Sequence, residues 1–468
     1  MTVTYESLLE GITDTAGDQI VDPATGEVVG RVAFRTVAHL DAAITRARTA
    51  QRAWAGRTDE DRIALLLRAA DAIDAAAEPL AELLSREQGK PLNGPNARFE
   101  VGACADWLRA TAATPLPGEV LVDDDSGHTE MHYRPVGVVG AIGPWNWPMM
   151  ITIWQIAPAL RMGNTVVVKP SEYTPLSVLA LVGVINGVLP TDVLQAVAGK
   201  GDLGARLSGH PDIGKLMFTG STATGQAIIK TSADTVKRLT LELGGNDAGI
   251  VLADVDPRAI AEDLFWGAFI NTGQTCAALK RLYVHADVYD DVCAALVDVA
   301  KAMPMGRGLD ETNVLGPLQN RQQYDIVTKL VDAARDAGAT MLLGGDPDHH
   351  AVGNFYPTTL VADIDNDNPL VTQEQFGPAL PIIRFDDVDH AIAMANGLDV
   401  GLGASVWSRD IQSARAVAAR LQAGTVWINS HSRIHPMIPF GGVKKSGYGL
   451  EFGVEGLKGV SVPQVISG

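Results

Sequence analysis

Three side chains in this sequence combine a reactive group with surroundings that suit chemistry, and Cys276 is the most distinctive of them. Cys276 follows Asn-Thr-Gly-Gln-Thr in "FINTGQTCAALKRLYV", a polar and flexible approach that suits a thiolate presented to a substrate. The other two cysteines, Cys104 and Cys293, stand among Ala, Val and Leu, and we expect them to fill the core. A lone cysteine is more often buried filler than a nucleophile, so the residue alone leaves both interpretations of Cys276 open.

Glu242 and Asn146 are the other two candidates for a chemical role. Glu242 lies inside the apolar run "LTLELGGND", where burial without a partner would raise its pKa and suit it to act as a base. The alternative is a glutamate on the solvated face of an edge strand. Asn146 stands between two tryptophans in "GPWNWPMM", where its amide could donate to a developing oxyanion. The alternative there is a turn residue beside two packing aromatics.

Two further segments could hold a nucleotide. In "MFTGSTATGQAII", Gly220 to Gly225 join a strand to a helix, a place where backbone N–H groups can bind phosphate. The segment is not a Walker A loop, because Gln226 stands where that loop needs lysine, and a simple capped turn is the alternative. In "VVVKPSEYTP", Lys169 and Glu172 end a strand and could hold ribose hydroxyls, or they could be a solvated loop pair. A carboxylate there would repel a ribose 2′-phosphate, which favours NAD over NADP.

The elements that must position these residues follow a strand–turn–helix pattern. Residues 37–91 carry apolar positions at helical spacing, and 118–135 alternate around an Asp-Asp-Ser-Gly turn, which predicts a β-hairpin. After Pro135, short β-branched runs alternate with helical segments, first from "VGVVGAIGP" to "RLTLELGG" and then from "AGIVLAD" to "TVWINS". Each series predicts a parallel sheet covered by helices. A chain of 468 residues also exceeds one core, so several domains are expected.

Composition excludes several classes of protein. The formal charge of −18 argues against a nucleic-acid partner, which would require a basic face. The three widely spaced cysteines support neither a disulfide framework nor a metal site. Neither a secretory signal nor an apolar stretch long enough to span a bilayer is evident. We therefore expect a cytoplasmic enzyme that does not act at a membrane.

Seven segments in a fixed order resemble the NAD(P)-dependent aldehyde dehydrogenase superfamily. They are "PWNWP", "KPSEYTP", "FTGSTATG", "LELGG", "GQTC", "QEQFGPALP" and "PFGGVKKSGYGLEFG", and they extend over most of the chain. The resemblance implies that Cys276 is the nucleophile and that the Asn146 amide and the Cys276 N–H hold the oxyanion. It also implies that Glu242 activates the water that hydrolyses a thioester. Two departures, Asn246 in the usual lysine place and Leu450 in an arginine place, touch neither nucleophile nor base.

The resemblance further implies how the chain is divided and which residues bind the cofactor. The expected fold is α/β, with a Rossmann-like NAD-binding domain (1–117 and 136–244), a catalytic domain (245–445) and an oligomerisation arm (118–135 and 446–468). Such an arm would build a homodimer or homotetramer. The expected cofactor is NAD, with NADP possible. The residues expected to bind it are Trp145, Lys169, Glu172, Gly220, Ser221, Gly225, Glu374 and Phe376.

The family's aldehyde tunnel maps onto mostly apolar residues here. They are Trp147, Met150, Trp154, Ile270, Thr275, Ile434 and Phe440. Relatives that take succinic semialdehyde carry an arginine near the position of Trp154, so we expect an uncharged aliphatic or aromatic aldehyde. Arg433 could accept an anion at the tunnel mouth, although a solvated loop arginine is the simpler interpretation. A CoA-acylating enzyme, a semialdehyde dehydrogenase and a non-catalytic nucleotide-binding relative are the alternatives.

Overall fold

The β-branched runs after Pro135 form the strands of two large sheets, as the sequence predicts. The computed structural model describes residues 3–468, so residues 1–2 of the predicted range 1–117 lie outside the described residues. In chain order the strands are β1 Asp18–Val21, β2 Val28–Val32, β3 Gly118–Asp124, β4 Gly127–Pro135, β5 Val138–Ile142, β6 Thr165–Lys169, β7 Leu194–Ala196, β8 Lys215–Thr219, β9 Arg238–Glu242, β10 Asp247–Val251, β11 Leu279–His285, β12 Thr340–Leu343, β13 Thr359–Ala362, β14 Ala379–Phe385, β15 Val400–Gly401, β16 Gly403–Trp407, β17 Thr425–Ile428, β18 Val443–Lys444, β19 Gly447–Tyr448 and β20 Ser461–Ser467.

Helices cover these sheets and form the N-terminal part of the chain. They are α1 Tyr5–Glu10, α2 Val37–Ala55, α3 Asp59–Ala75, α4 Ala77–Gln88, α5 Ala97–Ala113, α6 Pro148–Arg161, α7 Pro175–Asn186, α8 Gly201–Gly209, α9 Thr222–Ser232, α10 Pro257–Phe269, α11 Tyr289–Ala302, α12 Arg321–Asp336, α13 Pro369–Thr372, α14 Val388–Asn396, α15 Ile411–Ala418 and α16 Gly453–Gly459. Helix α6 begins with proline, which suits the first helical position, and is buried along its whole length. No helix within residues 3–468 is both long and apolar enough to cross a membrane.

The first sheet has six strands in the order β19-β9-β8-β5-β6-β7. Strands β5 to β9 run parallel, and only the short β19 is antiparallel to its neighbour. Residues in β5, β6 and β8 are buried on both faces, which matches their continuous apolar runs. The strand order reverses beside β5, and ligands of such sheets gather at the carboxyl ends of the strands at that point.

The second sheet has seven strands in the order β12-β13-β14-β11-β10-β16-β17. Six of them are parallel, whereas the edge strand β12 is antiparallel to β13, so the sheet is not wholly parallel as predicted. Cys276 lies just before β11, and Glu374 lies just before β14. Both residues therefore approach the first sheet from the amino ends of second-sheet strands.

The predicted hairpin is present as β3 and β4, joined by a turn over 124–127. Strand β20 adds to β4 and completes a three-stranded antiparallel sheet. The rest of the segment 446–468 lies elsewhere, because β19 pairs with β9 in the first sheet and α16 packs against α6. Only Ser461–Ser467 joins the hairpin, which is a shorter contribution than the predicted range implied.

Candidate active site

The carboxyl ends of the first sheet face the segment that carries Cys276, and a cavity of about 650 Å³ lies between them. The three candidates for chemistry, Cys276, Glu242 and Asn146, all line this cavity. Seven of the eight residues predicted to bind the cofactor line it as well: Trp145, Lys169, Glu172, Gly220, Ser221, Glu374 and Phe376. The fold thus brings residues from 145 to 376 to one place.

An unusual backbone presents Cys276 to the cavity. Three consecutive residues before it adopt left-handed conformations, with φ of 51° at Asn271, 56° at Thr272 and 76° at Gly273. Such angles are uncommon outside glycine and persist only where surrounding contacts enforce them. At Gly273 the constraint is also steric, because a Cβ would lie 2.3 Å from the carbonyl oxygen of Gly377. The glycine of "NTGQTC" is therefore required by the path of the chain.

Neighbouring loops hold this left-handed segment by hydrogen bonds. The Gly316 N–H donates to Thr272 Oγ1 at 2.9 Å, and the Gln319 N–H donates to Gln274 Oε1 at 2.9 Å. Asn271 Nδ2 donates to the Asn146 carbonyl oxygen at 2.9 Å. The polar residues before Cys276, predicted to give a flexible approach, are instead buried and fixed. The nucleophile candidate is thus rigidly mounted.

Asn146 is fixed at both its backbone and its side chain. Its carbonyl oxygen accepts hydrogen bonds from Asn271 Nδ2 and, at 2.8 Å, from Lys90 Nζ. Its side-chain Nδ2 donates to the Gln274 carbonyl oxygen at 2.9 Å. An amide nitrogen carries two hydrogens, so one remains for a group bound beside Cys276.

Burial dominates the electrostatics of the thiol. It raises the pKa of Cys276 to about 12, against a partial lowering by Lys280. Glu242, Glu374 and Asp247 raise this pKa further, because their negative charges disfavour a thiolate. The thiol therefore stays protonated at neutral pH until a base or a bound cationic group favours its ionisation.

Glu242 is a buried carboxyl at the end of β9, only 5% exposed. Its Oε1 has no hydrogen-bond partner among the described residues. Burial, and then the nearby Glu451, raise its pKa well above the usual range. This is the environment that the apolar run around Glu242 predicted, and it suits a proton acceptor at neutral to alkaline pH.

Glu451, which lies near Glu242, and Lys215, which acts on Glu451, have no predicted role. Glu451 is 1% exposed, and burial raises its pKa to about 8 despite the opposing influence of Lys215. Burial lowers the pKa of Lys215 to about 7, and its Nζ donates to Thr240 Oγ1 at 2.6 Å. The apolar surroundings of Glu451 in "GYGLEFGV" are the signal that could have marked it as buried.

The N-terminus of α9 lies at one end of the cavity, where it could bind a phosphate group. Ser221 caps this helix and accepts a hydrogen bond from the Thr224 N–H at 3.3 Å. Free N–H groups of a first helical turn attract an anion. Gly225 is the exception among the predicted cofactor residues, since it does not line the cavity. Its Cβ would lie 2.6 Å from Leu243, so the glycine allows α9 to pack closely on the end of β9.

Lys169 and Glu172 lie at the neighbouring strand end. Lys169 is 6% exposed, its Nζ donates to the Pro170 carbonyl oxygen at 3.0 Å, and burial lowers its pKa. Glu172 is exposed on the cavity wall. A cation, a carboxylate and a helix N-terminus on one cavity are the groups that hold ribose hydroxyls and a pyrophosphate. The residues present therefore fit a nicotinamide dinucleotide.

Glu374 and Phe376 close the cavity from the second sheet. Glu374 Oε1 accepts a hydrogen bond from the Gly245 N–H at 3.3 Å and lies 3.6 Å from Lys280 Nζ. Burial raises the pKa of Glu374 to about 7. The Phe376 ring meets the Trp145 ring edge-on, with centroids 5.3 Å apart. Together they place a carboxyl and an aromatic wall next to Cys276.

None of the predicted tunnel residues lines this cavity. Trp147, Met150, Trp154 and Phe440 belong to one apolar cluster, against which Ile270, Cys276 and Ile434 pack. Thr275 is buried and accepts a hydrogen bond from Trp147 Nε1 at 2.9 Å. Arg433 is outside this cluster, with its side chain 72% exposed and 3.6 Å from Asp263. The arginine is thus a solvated loop residue.

A cavity between two sheets that is lined by a cysteine, a buried glutamate and residues suited to a dinucleotide is typical of oxidoreductases with a reactive cysteine. The sequence model of the aldehyde dehydrogenase family matches residues 13–466, so the chain belongs to that family. It is 38% identical over 452 residues to a phenylacetaldehyde dehydrogenase of Pseudomonas fluorescens, covering 94% of this chain and 90% of that protein.

Solved structures agree with this assignment. An aldehyde dehydrogenase of Bacillus cereus, solved as an NAD+ complex, is 35% identical, with a TM-score of 0.92 over 96% of this chain and 92% of that one. An NADP-dependent enzyme of E. coli is 32% identical, with a TM-score of 0.93 over 96% of this chain and 94% of that one. The protein is therefore an NAD(P)-dependent aldehyde dehydrogenase, which oxidises an aldehyde to the acid.

Proposed function

We propose that the protein oxidises an uncharged aliphatic or aromatic aldehyde with NAD+ through a Cys276 thioester that water hydrolyses. The observation that carries this proposal is the shared cavity, on which Cys276, Asn146 and Glu242 meet the predicted dinucleotide residues. Cys276 also packs against the apolar cluster that contains the predicted tunnel residues, and an aldehyde side chain is proposed to lie there.

The first step is addition of the Cys276 sulfur to the aldehyde carbonyl carbon. Glu242 accepts the thiol proton, since it is buried, unpaired and raised in pKa. The carbonyl oxygen becomes an oxyanion, which the second Asn146 Nδ2 hydrogen and the Cys276 N–H stabilise. Removing one such donor costs an enzyme about 10²- to 10³-fold in kcat.

The second half of the reaction releases the acid. Bound NAD+ supplies the acceptor for the hydride that leaves the former aldehyde carbon, and Cys276 is then acylated as a thioester. Glu242 passes the thiol proton to solvent, and the regenerated carboxylate then removes a proton from water, which attacks the thioester and expels the Cys276 thiolate. Transfer of the acyl group to CoA is the alternative, and the buried base beside the thioester favours water.

The preference for NAD over NADP rests on Glu172. This carboxylate is exposed on the cavity wall beside Lys169, where the adenosine ribose is expected to bind. The 2′-phosphate of NADP would be repelled by this carboxylate, because both groups are negatively charged. Related structures include both an NAD+ complex and an NADP-dependent enzyme, so the family accommodates either cofactor.

The preference for an uncharged aldehyde rests on the apolar cluster around Cys276. Its members are aromatic or aliphatic, and the nearest predicted cation, Arg433, is turned to solvent and Asp263. A semialdehyde carboxylate in such surroundings would lose its hydration without gaining an ion pair. The similarity to a phenylacetaldehyde dehydrogenase supports the same substrate class.

We assign the first sheet with its N-terminal helices to cofactor binding and the second sheet to catalysis. The three-stranded sheet β20-β4-β3 is the proposed oligomerisation arm of a homodimer or homotetramer. Its exposed apolar side chains support this role: Val120, Leu121, Val465 and Ile466. Analytical ultracentrifugation measures the assembly directly, and a monomer at micromolar concentration would contradict the assignment.

An aldehyde panel with NAD+ and NADP+ tests the proposal, run beside Cys276→Ser and the matched control Cys293→Ser. We expect turnover of phenylacetaldehyde and medium-chain aldehydes, weak turnover of succinic semialdehyde, and loss of activity in Cys276→Ser alone. Glu242→Gln should form NADH slowly and stall after at most one equivalent, because both ionisation of the thiol and hydrolysis of the thioester lose their base. A fully active Cys276→Ser variant, or NADH formation that requires added CoA, would refute the mechanism.

A further inference from the structure

A buried lysine that no predicted role includes stands directly behind Cys276. Lys280 lies near the start of β11 with its side chain only 2% exposed. Its Nζ donates to the carbonyl oxygens of Thr275 and, at 3.3 Å, of Cys276. The same Nζ lies 3.6 Å from Glu374 Oε1. One cation thus touches the main chain of the nucleophile and the carboxyl group that faces the cofactor cavity.

The Thr275 carbonyl is the important partner, because it shares a planar peptide unit with the Cys276 N–H. A hydrogen bond from a cation to the carbonyl end of a peptide fixes its plane and polarises the unit toward its N–H. The Cys276 N–H then becomes a stronger donor. In the proposed mechanism this N–H is one of the two groups that hold the oxyanion.

Stability of the fold does not explain why a lysine is buried at position 280. Burying an ammonium group is costly unless it is closely paired, and here the paired carboxylate, Glu374, lies 3.6 Å away on the cavity wall. Lys90 offers a contrast, because its Nζ contacts Glu100 at 2.5 Å deep in the protein. An apolar side chain at position 280 would cost less to bury. The charge at this position is therefore explained better by an effect on nearby Cys276 than by stability.

The charges around the thiol show what that effect is. Burial raises the pKa of Cys276 most, Lys280 lowers it, and Glu242, Glu374 and Asp247 raise it further. Lys280 is therefore the cation that partly offsets the groups that disfavour the thiolate. Its position also ties the main chain of Cys276 to Glu374, so the nucleophile and the expected anchor of the nicotinamide ribose share one cation.

We propose that Lys280 is a positioning residue of this active site, which orients and polarises the Thr275–Cys276 peptide and keeps Glu374 in place. The inference rests on the proposed function, in which Cys276 attacks the aldehyde. Lys280 does not contact the sulfur or the substrate directly. It acts through the peptide, through Glu374 and through its field at the thiol.

The test compares Lys280→Met, Lys280→Gln and Lys280→Arg with Lys301→Met, the same loss of charge at an exposed helix position. One readout is the rate of Cys276 alkylation by iodoacetamide, followed by peptide mass spectrometry without aldehyde or cofactor. The other is kcat and KM for phenylacetaldehyde. Thermal unfolding identifies which variants are folded.

We expect Lys280→Met and Lys280→Gln to alkylate about tenfold more slowly at mildly alkaline pH, because losing a nearby cation raises a thiol pKa by about one unit. Their kcat should fall about tenfold, since one oxyanion donor is weakened but not removed, while KM for the aldehyde changes less than about twofold. Lys280→Arg should recover most of both losses, and Lys301→Met should match the parent enzyme.

Each possible result supports or overturns the proposal. Parent-like alkylation and kcat in folded Lys280→Met or Lys280→Gln would overturn it. A folded Lys280→Arg that alkylates as slowly as Lys280→Gln would also overturn it, because the charge would then not matter. If Cys276→Ser remained active, the proposed function itself would fail, whereas an inactive Cys276→Ser with unaffected Lys280 variants would reject the lysine alone.

Discussion

Replacing Gly273 by alanine is the most direct test of how the chain presents Cys276. The new Cβ would lie 2.3 Å from the Gly377 carbonyl oxygen, more than an ångström inside normal contact, and the residue has a φ of 76°. A non-glycine residue in the left-handed region costs about 1–2 kcal/mol. Relief of the contact requires the main chain to move, and it is the chain that carries the nucleophile three residues later.

The magnitude follows from these two contributions. A displacement of about 1 Å at a reacting group can lower the rate about 100-fold, so we expect kcat to fall by about that factor. The φ cost and the forced contact together predict a loss of about 2–4 kcal/mol in the free energy of unfolding. A fall of about 100-fold in the kcat of the folded variant would show that the segment serves presentation of the thiol and not stability alone.

Gly338→Ala is the matched control for this prediction. Gly338 has a φ of 91°, and no atom lies within 4 Å of the position its Cβ would occupy. Only the cost of the left-handed conformation applies there, about 1–2 kcal/mol. The control should therefore lose stability without losing kcat.

The assay measures thermal unfolding, kcat at saturating aldehyde and NAD+, and the alkylation rate of Cys276 for both variants. We expect slow alkylation and low kcat only in Gly273→Ala. A folded Gly273→Ala with parental kcat would refute the reasoning, because the backbone before Cys276 would then tolerate a shift without consequence.

Three further predictions concern charges in and behind the site. Lys90→Met should lower the free energy of unfolding by about 3–5 kcal/mol, because the buried Glu100 loses its partner at 2.5 Å. Chemical denaturation measures this loss, and the double variant Lys90→Met/Glu100→Gln should recover part of it. Glu172→Gln should raise kcat/KM with NADP+ about five- to tenfold, the effect of about 1 kcal/mol of like-charge repulsion in water. Glu451→Gln should move the acidic limb of the kcat–pH profile to lower pH, because the negative charge of Glu451 raises the pKa of Glu242. An unmoved profile would show that the two carboxyls do not interact in solution.

The sequence predicts the large elements well, because each is specified locally. The runs that became β5, β6 and β8 are continuous and β-branched, which is typical of strands buried on both faces. Strands β15, β18 and β19 contain two residues each, so they carry no pattern that local sequence could reveal. The antiparallel direction of β12 depends on its partner β13 and has no local signature either.

The sequence predicts the reactive groups of the site better than the residues that support them. The apolar run around Glu242 indicates a buried carboxyl, and burial does raise the pKa of this group. Lys280 stands beside an arginine in "LKRLYV" and resembles any charged pair, since its partner Glu374 lies 94 positions away. A glycine in a strand–helix turn, such as Gly225, can serve either anion binding or close packing, and the sequence around it fits both. Only tertiary contacts distinguish these cases.

The left-handed run before Cys276 has a consequence for engineering this enzyme. The residues that enforce it, among them Gly316 and Gln319, belong to a loop that does not line the cavity. A mutant library confined to cavity-lining positions would change substrate choice but leave unchanged the backbone conformation that positions the Cys276 sulfur. Substitutions in the 316–319 loop would instead change the reactivity of the thiol with every aldehyde alike. A substitution that disturbs this backbone is therefore expected to lower turnover of all aldehydes without changing their order of preference.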